Sequence, residues 1–218
     1  MLINDTYTSK ATPGVAVVTG ASRGIGLEFV NQLQAAGWEV EACNRPTVDI
    51  GDPSSILAFA QALQGRPIDL LINNAAIRGD TGGIATLETD GFIEVMRVNT
   101  LGPILMVQAL LSNLKLGRGI VANISSQSGS IAEGRSTDGD YAYKCSKAAL
   151  NIASCKLADE TGLTVLALHP GWVQTDMGGP FANVPVTVSV EGMLRIISAA
   201  GPSDSASFRT YDNNVVEW

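Results

Sequence analysis

Val15-Ala16-Val17-Val18-Thr19-Gly20-Ala21-Ser22-Arg23-Gly24-Ile25-Gly26 is the stretch on which the reading of this chain turns. Its apolar opening is short and rich in valine, the pattern of a strand buried on both faces. Over residues 25–36 apolar side chains recur at helical spacing instead. The glycines therefore stand where a strand hands over to a helix. Glycine there permits a tight turn and lets a phosphate approach the helix N-terminus, whose free N–H groups favour an anion. Three glycines in an ordinary loop would mean little. Their place between strand and helix makes a pyrophosphate site the stronger reading.

Working outward, Gly37 closes the helix, 38–43 reads as a second strand and 47–50 as a brief third. Too few residues separate those two for the helix of a right-handed parallel crossover. Asp52-Pro53-Ser54-Ser55 caps a helix through Leu63, with the proline in the first turn, where its missing N–H costs little. Residues 69–72 form a fourth strand, and 91–116 are expected to be mostly helical with a kink at Gly102-Pro103. A fifth strand at 120–124, a long helix at 143–160, a sixth strand at 163–168 and a helix at 190–199 follow, before a C-terminal hairpin or strand. Strands alternating with helices predict one α/β domain over residues 1–218: a doubly wound parallel sheet with helices on both faces, missing the helix between strands 2 and 3. Residues 1–13 are a polar extension.

Composition agrees. Hydrophobic residues make up 45% of the chain and charged ones 16%, a balance suited to a covered parallel sheet. Mean hydropathy is slightly positive. No apolar run approaches the roughly 20 residues of a spanning helix, so that surplus is core, not membrane. The polar opening lacks the apolar segment of a signal peptide, and a cytoplasmic location is expected. A formal charge of −7, with no cluster of lysine or arginine, speaks against nucleic acid as a partner. Cys43, Cys145 and Cys155 have no paired metal spacing and read as reduced thiols; with His169 the one histidine, a Cys/His zinc site is not expected.

The turn has the spacing T-G-x-x-x-G-x-G, not the commoner G-x-G-x-x-G. With it the chain begins to resemble the classical short-chain dehydrogenase/reductase family. The resemblance runs on through Asn73-Asn74-Ala75-Ala76, which departs from the family's Asn-Asn-Ala-Gly at Ala76. Asn99 in Val98-Asn99-Thr100-Leu101-Gly102, Ser126 in Ile124-Ser125-Ser126-Gln127-Ser128-Gly129 and the run Tyr143-Lys144-Cys145-Ser146-Lys147 match its catalytic elements. Pro170-Gly171-Trp172-Val173-Gln174-Thr175-Asp176-Met177 matches its nicotinamide-side loop. The long spacing from Ser126 to Tyr143, the Pro-Gly-Trp-Val loop and residues 208–218 are most similar to the bacterial cell-contact-signal and insect carbonyl-reductase branch. The resemblance implies a Rossmann-fold oxidoreductase that reduces a ketone or aldehyde, or oxidises the corresponding alcohol. It also implies a homodimer or homotetramer built on helices 91–116 and 143–160.

In such folds the choice of nicotinamide cofactor is made after the second strand, where a carboxylate binds free ribose hydroxyls and a basic group accepts a 2′-phosphate. Asn44 and Arg45 occupy that point, with no carboxylate, and Arg23 adds a second guanidinium from the glycine turn. Guanidinium forks fit phosphate, so NADP(H) is expected over NAD(H). By resemblance, Gly20, Ser22, Gly24, Ile25 and Gly26 cradle the pyrophosphate, Asp49 and Ile50 border the adenine, and Asn73 and Ala75 line the ribose side. Pro170, Gly171, Val173, Thr175 and Met177 lie at the nicotinamide.

Tyr143 and Lys147 stand four apart, on one helix face. A free phenol has a pKa of about 10, and an adjacent ammonium favours its ionised form. Tyr143 is thus the candidate general acid and base. By resemblance Lys147 also holds the nicotinamide ribose, Ser126 orients the substrate oxygen, and Asn99 holds the lysine through a water. Tyr141 has Cys145 at the corresponding position, and Ser125 competes with Ser126. His169 with Ser126 and Asp176 would imitate a hydrolytic triad, but no G-x-S-x-G elbow exists and a packed strand-end histidine is simpler. Cys145 and Cys155 are expected to be buried as small hydrophobes. Only 178–188 is available to cover substrate, so an open site is expected, with Trp172, Met177 and Phe181 as walls or core. The rival reading is an NADP(H)-binding signalling protein with little turnover.

Overall fold

The valine run becomes β1 (Val15–Thr19), and the glycine turn delivers it into α1 (Gly24–Ala35). This is a computed structural model, and it describes residues 13–137 and 139–218; most of the polar extension, residues 1–12, lies outside them. The chain continues through β2 (Glu39–Cys43), α2 (Pro53–Ala62) and β3 (Leu70–Asn73). Three helices follow, α3 (Thr89–Met96), α4 (Gly102–Ala109) and α5 (Leu111–Gly117). Then come β4 (Ile120–Ile124), α6 (Tyr141–Thr161), β5 (Thr164–His169), α7 (Val186–Ala199) and β6 (Ser207–Thr210). The strands form one parallel sheet in the order β2-β1-β3-β4-β5-β6.

Alternation along each strand sorts the core into two layers. Val17, Leu71, Val121 and Val165 face Ile56 of α2, Met106 of α4 and Leu114 of α5. Their neighbours Val18, Leu70, Ile72 and Leu166 face Phe29 and Leu33 of α1 and Met193 and Leu194 of α7. Each such side chain contributes about 1.5–3 kcal/mol by leaving water. Sequence order reverses between β1 and β3, and a crevice opens there at the carboxyl ends of the strands.

Three departures from expectation have physical causes. Residues 47–50 form no strand. Without a crossover helix the segment turns back at once, the Val48 N–H donating to the Asn44 carbonyl at 3.0 Å, and Val48 and Ile50 plug the core from a loop. The sheet thus lacks a strand as well as a helix, and β2 becomes an edge. Glu39 and Glu41 on that edge pair with Arg66, and such charge discourages a further strand from adding.

The second departure is the kink, which falls at Leu110 instead of Gly102-Pro103, with 63° between the axis of residues 89–109 and that of α5. Pro103 opens α4, where its missing N–H is tolerated, and Gly102 serves close packing: a Cβ there would lie 2.4 Å from Ile50 Cγ2. The bend wraps the helix pair around the sheet, burying Met106, Leu110 and Leu114. Third, Cys145 is exposed and Cys155 half-buried, because both lie away from the core-facing stripe of α6; only Cys43 is buried. Among the described residues, no single helix is long and apolar enough to cross a membrane.

Candidate active site

Thr19 organises the crevice. Its hydroxyl accepts the N–H groups of both Asn74 and Ala75 at 3.0 Å, pinning the end of β3 to the glycine turn. Asn74 completes the clamp, its Nδ2 donating to the carbonyls of Thr19 at 2.9 Å and Gly20 at 3.2 Å. Gly20 and Gly24 have φ of +66° and +54°, the left-handed region where glycine carries no penalty. Gly26 is buried behind the turn, where a Cβ would sit 2.2 Å from the Gly20 carbonyl oxygen. It packs the helix closely on the turn and is not among the residues that line the cleft.

No side chain caps α1, and its first turn has no acidic residue. The free N–H groups there face a cleft of about 1270 Å³. This is the surface a pyrophosphate needs. Ser22, Arg23, Gly24 and Ile25 line it on one side, Asn44, Arg45, Asp49 and Ile50 at the end beside β2, and Ala75 in the middle. Arg23 reaches across the mouth to Asp176 at 3.1 Å, both side chains largely in solvent. Asp49 accepts the Gly51 N–H at 2.8 Å. Asn73 does not enter the cleft. Its amide turns to the other side of the sheet and donates to Asn123 Oδ1 at 2.9 Å, in a buried chain that continues to Ser154 of α6. Asn74, one residue on, is the asparagine at the site.

The catalytic candidates meet on the cleft floor beyond β4. Tyr143 is partly buried and lines the cleft together with Ser126. Burial pushes the phenol above its ordinary pKa, while the Ser126 hydroxyl and the Arg78 charge oppose that rise and Asp140 adds to it. Lys147 is 3% exposed, with its Nζ 5.7 Å from the Tyr143 ring centroid and donating to the Ile124 carbonyl at 2.7 Å. Burial brings the ammonium down to about 8. Ser125 is turned away to Asn151. Of the two serines, Ser126 is therefore the one beside Tyr143.

Asn99 lies on a π-helical turn, Arg97–Leu101, between α3 and α4, a distortion that often marks functional positions. It is wholly buried behind the cleft. Its amide accepts from the Ile77 N–H at 2.9 Å, donates to the Ile77 carbonyl at 2.8 Å and donates to Ser146 Oγ at 3.0 Å. Ser146 in turn donates to the Tyr143 carbonyl at 2.7 Å. Asn99 therefore braces α6 through Ser146, a contact that its spacing in the sequence does not announce.

Pro170, Gly171, Val173, Thr175 and Met177 line the opposite wall, as does Trp172, whose indole N–H closes its own loop onto the Gly178 carbonyl at 2.7 Å. Trp172 and Met177 are exposed rim residues, and Phe181 is 80% exposed, outside the cleft lining. His169 is mostly buried at the end of β5, and desolvation holds its imidazole down to about 4, a neutral packed residue. Arg78, not singled out by sequence, enters the substrate side paired with buried Asp140, 2.6 Å away.

A family model described as short chain dehydrogenase matches residues 45–183. The chain belongs to that family. It is thus an oxidoreductase of the short-chain type acting on carbonyl or alcohol groups. This short-chain dehydrogenase is similar to the C-signal of Myxococcus xanthus, 43% identical over 167 residues that span 74% of this chain and 99% of that protein. It also resembles the NADPH-bound carbonyl reductase from chicken fatty liver, with a TM-score of 0.86, 34% identity and coverage of 94% of this chain and 98% of that one. Carbonyl reductase Sniffer of D. melanogaster gives 0.81 at 25% identity, covering 95% and 100%. The branch expected from the Pro-Gly-Trp-Val loop is the branch found. The family model begins at Arg45; the structural likeness extends over the glycine turn as well.

Proposed function

We propose that this protein is an NADP(H)-dependent carbonyl reductase or alcohol dehydrogenase in which Tyr143 is the general acid and base. The observation that carries the reading is the Ser126–Tyr143–Lys147 group on the floor of a cleft whose other end is a glycine turn with an uncapped helix. The NADPH-bound carbonyl reductase of the same fold supports it. NADP(H) supplies or takes up the hydride. Gly20, Ser22, Gly24 and Ile25 would hold its pyrophosphate, and Arg23 with Arg45 its 2′-phosphate. Asn44, Asp49 and Ile50 would border its adenosine, Ala75 and Lys147 its riboses, and Pro170, Gly171, Val173, Thr175 and Met177 its nicotinamide side.

In the reducing direction the Tyr143 hydroxyl donates a proton to the substrate oxygen, which Ser126 holds by a hydrogen bond. Burial favours the protonated phenol, the form that reduction needs. In oxidation Tyr143 accepts the proton, and the adjacent Lys147 ammonium stabilises the phenolate that must first exist. The complete Ser–Tyr–Lys set weighs against a signalling protein with little turnover. The exposed Trp172 and Met177 at the rim of the cleft favour bulky or varied carbonyl compounds. The exposed stripe of α6, including Tyr141, Cys145 and Ile152, supports assembly as a homodimer or homotetramer.

The test is NADPH oxidation with a panel of aldehydes, ketones and quinones. Tyr143→Phe is expected to lose at least about 100-fold in kcat while binding NADPH normally, and Arg23→Ala and Arg45→Ala to weaken NADPH more than NADH. Full activity of Tyr143→Phe would sink the mechanism, and equal losses for both cofactors would sink the phosphate assignment.

A further inference from the structure

The segment after β6 doubles back to the loop that follows Ser126. Val216, 2% exposed, donates its N–H to the Phe208 carbonyl at 2.9 Å, and the Trp218 ring stacks on that of Phe208 with centroids 5.3 Å apart. From this anchor the backbone of residues 217–218 meets the loop. Ser130 Oγ donates to the Glu217 carbonyl at 2.5 Å, and the Ala132 N–H donates to the Trp218 carbonyl at 3.3 Å. The Glu217 N–H donates to Glu133 Oε1 at 2.8 Å, while the other oxygen of that carboxylate accepts from Gln127 Nε2 at 2.8 Å. The Glu217 bond, then the Gln127 bond, hold the Glu133 carboxyl below its usual range, so it is the acceptor that this arrangement needs.

On its other side the same loop lies directly on the catalytic helix. A Cβ at Gly129 would stand 2.6 Å from the Lys147 carbonyl carbon, so no side chain separates them. Gln127, Ser128 and Glu133 line the cleft beside Tyr143. The loop is thus clamped between α6 and residues 215–218.

We infer that residues 215–218 are a clasp that positions the Ser126 loop for the substrate, with Ser130, Glu133 and Trp218 as positioning residues. The inference rests on the reading of Ser126 as the group that holds the carbonyl oxygen. A displacement of about 1 Å at such a group is enough to cost up to 100-fold in rate. The clasp touches the substrate wall and not the glycine turn, so its loss falls on carbonyl turnover and spares NADPH binding.

Trp218→Ala is compared with Trp218→Phe, which retains a ring to stack on Phe208. In Trp218→Ala, kcat/KM for the best carbonyl substrate is expected to fall about 10-fold or more, with the NADPH dissociation constant within about 2-fold of wild type. Amide hydrogen exchange at residues 128–133 should accelerate by about 10-fold or more, and Trp218→Phe should restore both readouts. Glu133→Gln, which weakens one strut on the exposed side, should show a smaller change in the same direction. Unchanged exchange at 128–133 in both Trp218→Ala and Glu133→Gln would overturn the clasp. So would a loss of NADPH affinity equal to the loss of carbonyl turnover. Exchange needs no turnover; if the wild type reduced no carbonyl compound, the proposed reaction would fail while the exchange comparison still decided the clasp.

Discussion

Lys147 pays for its position in stability. Its ammonium is buried, hydrogen-bonded to the Ile124 carbonyl, and brought down to about 8 by desolvation, against about 10.4 for an exposed lysine. Between those two values the unfolded chain binds more protons than the folded one, so stability rises with pH through that window; below pH 8 the burial cost is present in full. Lys147→Met is therefore expected to unfold at higher urea at pH 7, by a difference on the order of 1–3 kcal/mol, while losing activity. The advantage should shrink between pH 8 and pH 10.5. Urea titrations of both proteins across that range check it, and a less stable variant at pH 7 would refute the account. Candidates of this kind can be named from the sequence because the chemistry admits few substitutes: a phenol four positions before an ammonium, a glycine turn, a guanidinium where a carboxylate would select the other cofactor, and the structure places all of them along one cleft. Asn73 was misplaced because two asparagines stand side by side. Strand parity held the missing signal, since residue 73 falls on the face of Leu71, toward α6, and Asn74 lies beyond the strand.

At the scale of elements, the segment between β2 and α2 and the start of α4 depend on each other. Gly102 lets the helix pass against the loop that carries Asp49 and Ile50, with a Cβ there only 2.8 Å from the Ile50 carbonyl oxygen. Gly102→Ala is expected to destabilise by about 1–3 kcal/mol, the usual cost of overpacking. It should also weaken NADPH binding, because the displaced loop lines the cleft in which the adenosine is proposed to lie. Denaturation midpoints and cofactor titration measure the two effects, and a neutral result in both would show that the loop gives way freely. The strands and most helices were readable from their periodicity, and the cap of α2 from Asp52 and Pro53, whose geometry is as expected, Asp52 accepting the Ser54 N–H at 2.9 Å. The bend at Leu110 was not readable, because no proline or glycine causes it; it comes from wrapping an apolar helix around a twisted sheet, a tertiary effect that no local window contains. The same holds for residues 47–50, where a strand-like pattern marks a loop whose apolar side chains plug the core.

For the whole molecule, the outward stripe of α6 carries apolar surface that a second chain would cover. Ile152, 64% exposed, sits within it, and Ile93 of α3, 58% exposed, lies on a helix packed against α6. Sedimentation should find a dimer or tetramer for the wild type and a smaller species for Ile152→Glu, with the fold intact by circular dichroism. A wild type that sediments as a monomer at all concentrations would remove this surface from the argument.

The missing strand bears on how such enzymes can be remodelled. The candidate catalytic residues lie at the crevice between β1 and β3 or farther along, toward β4 and β5, while the strand and helix that are missing would stand beyond β2. An edge unit can therefore be deleted or grafted as a module. The turn between Asn44 and Val48 is the natural graft point, and Glu39, Glu41 and Arg66 are the charges that an added strand would have to displace. The same turn lines one end of the cleft, and Tyr143 lies away from it on α6, so an addition at this edge would extend the cleft wall without touching the Tyr143 group.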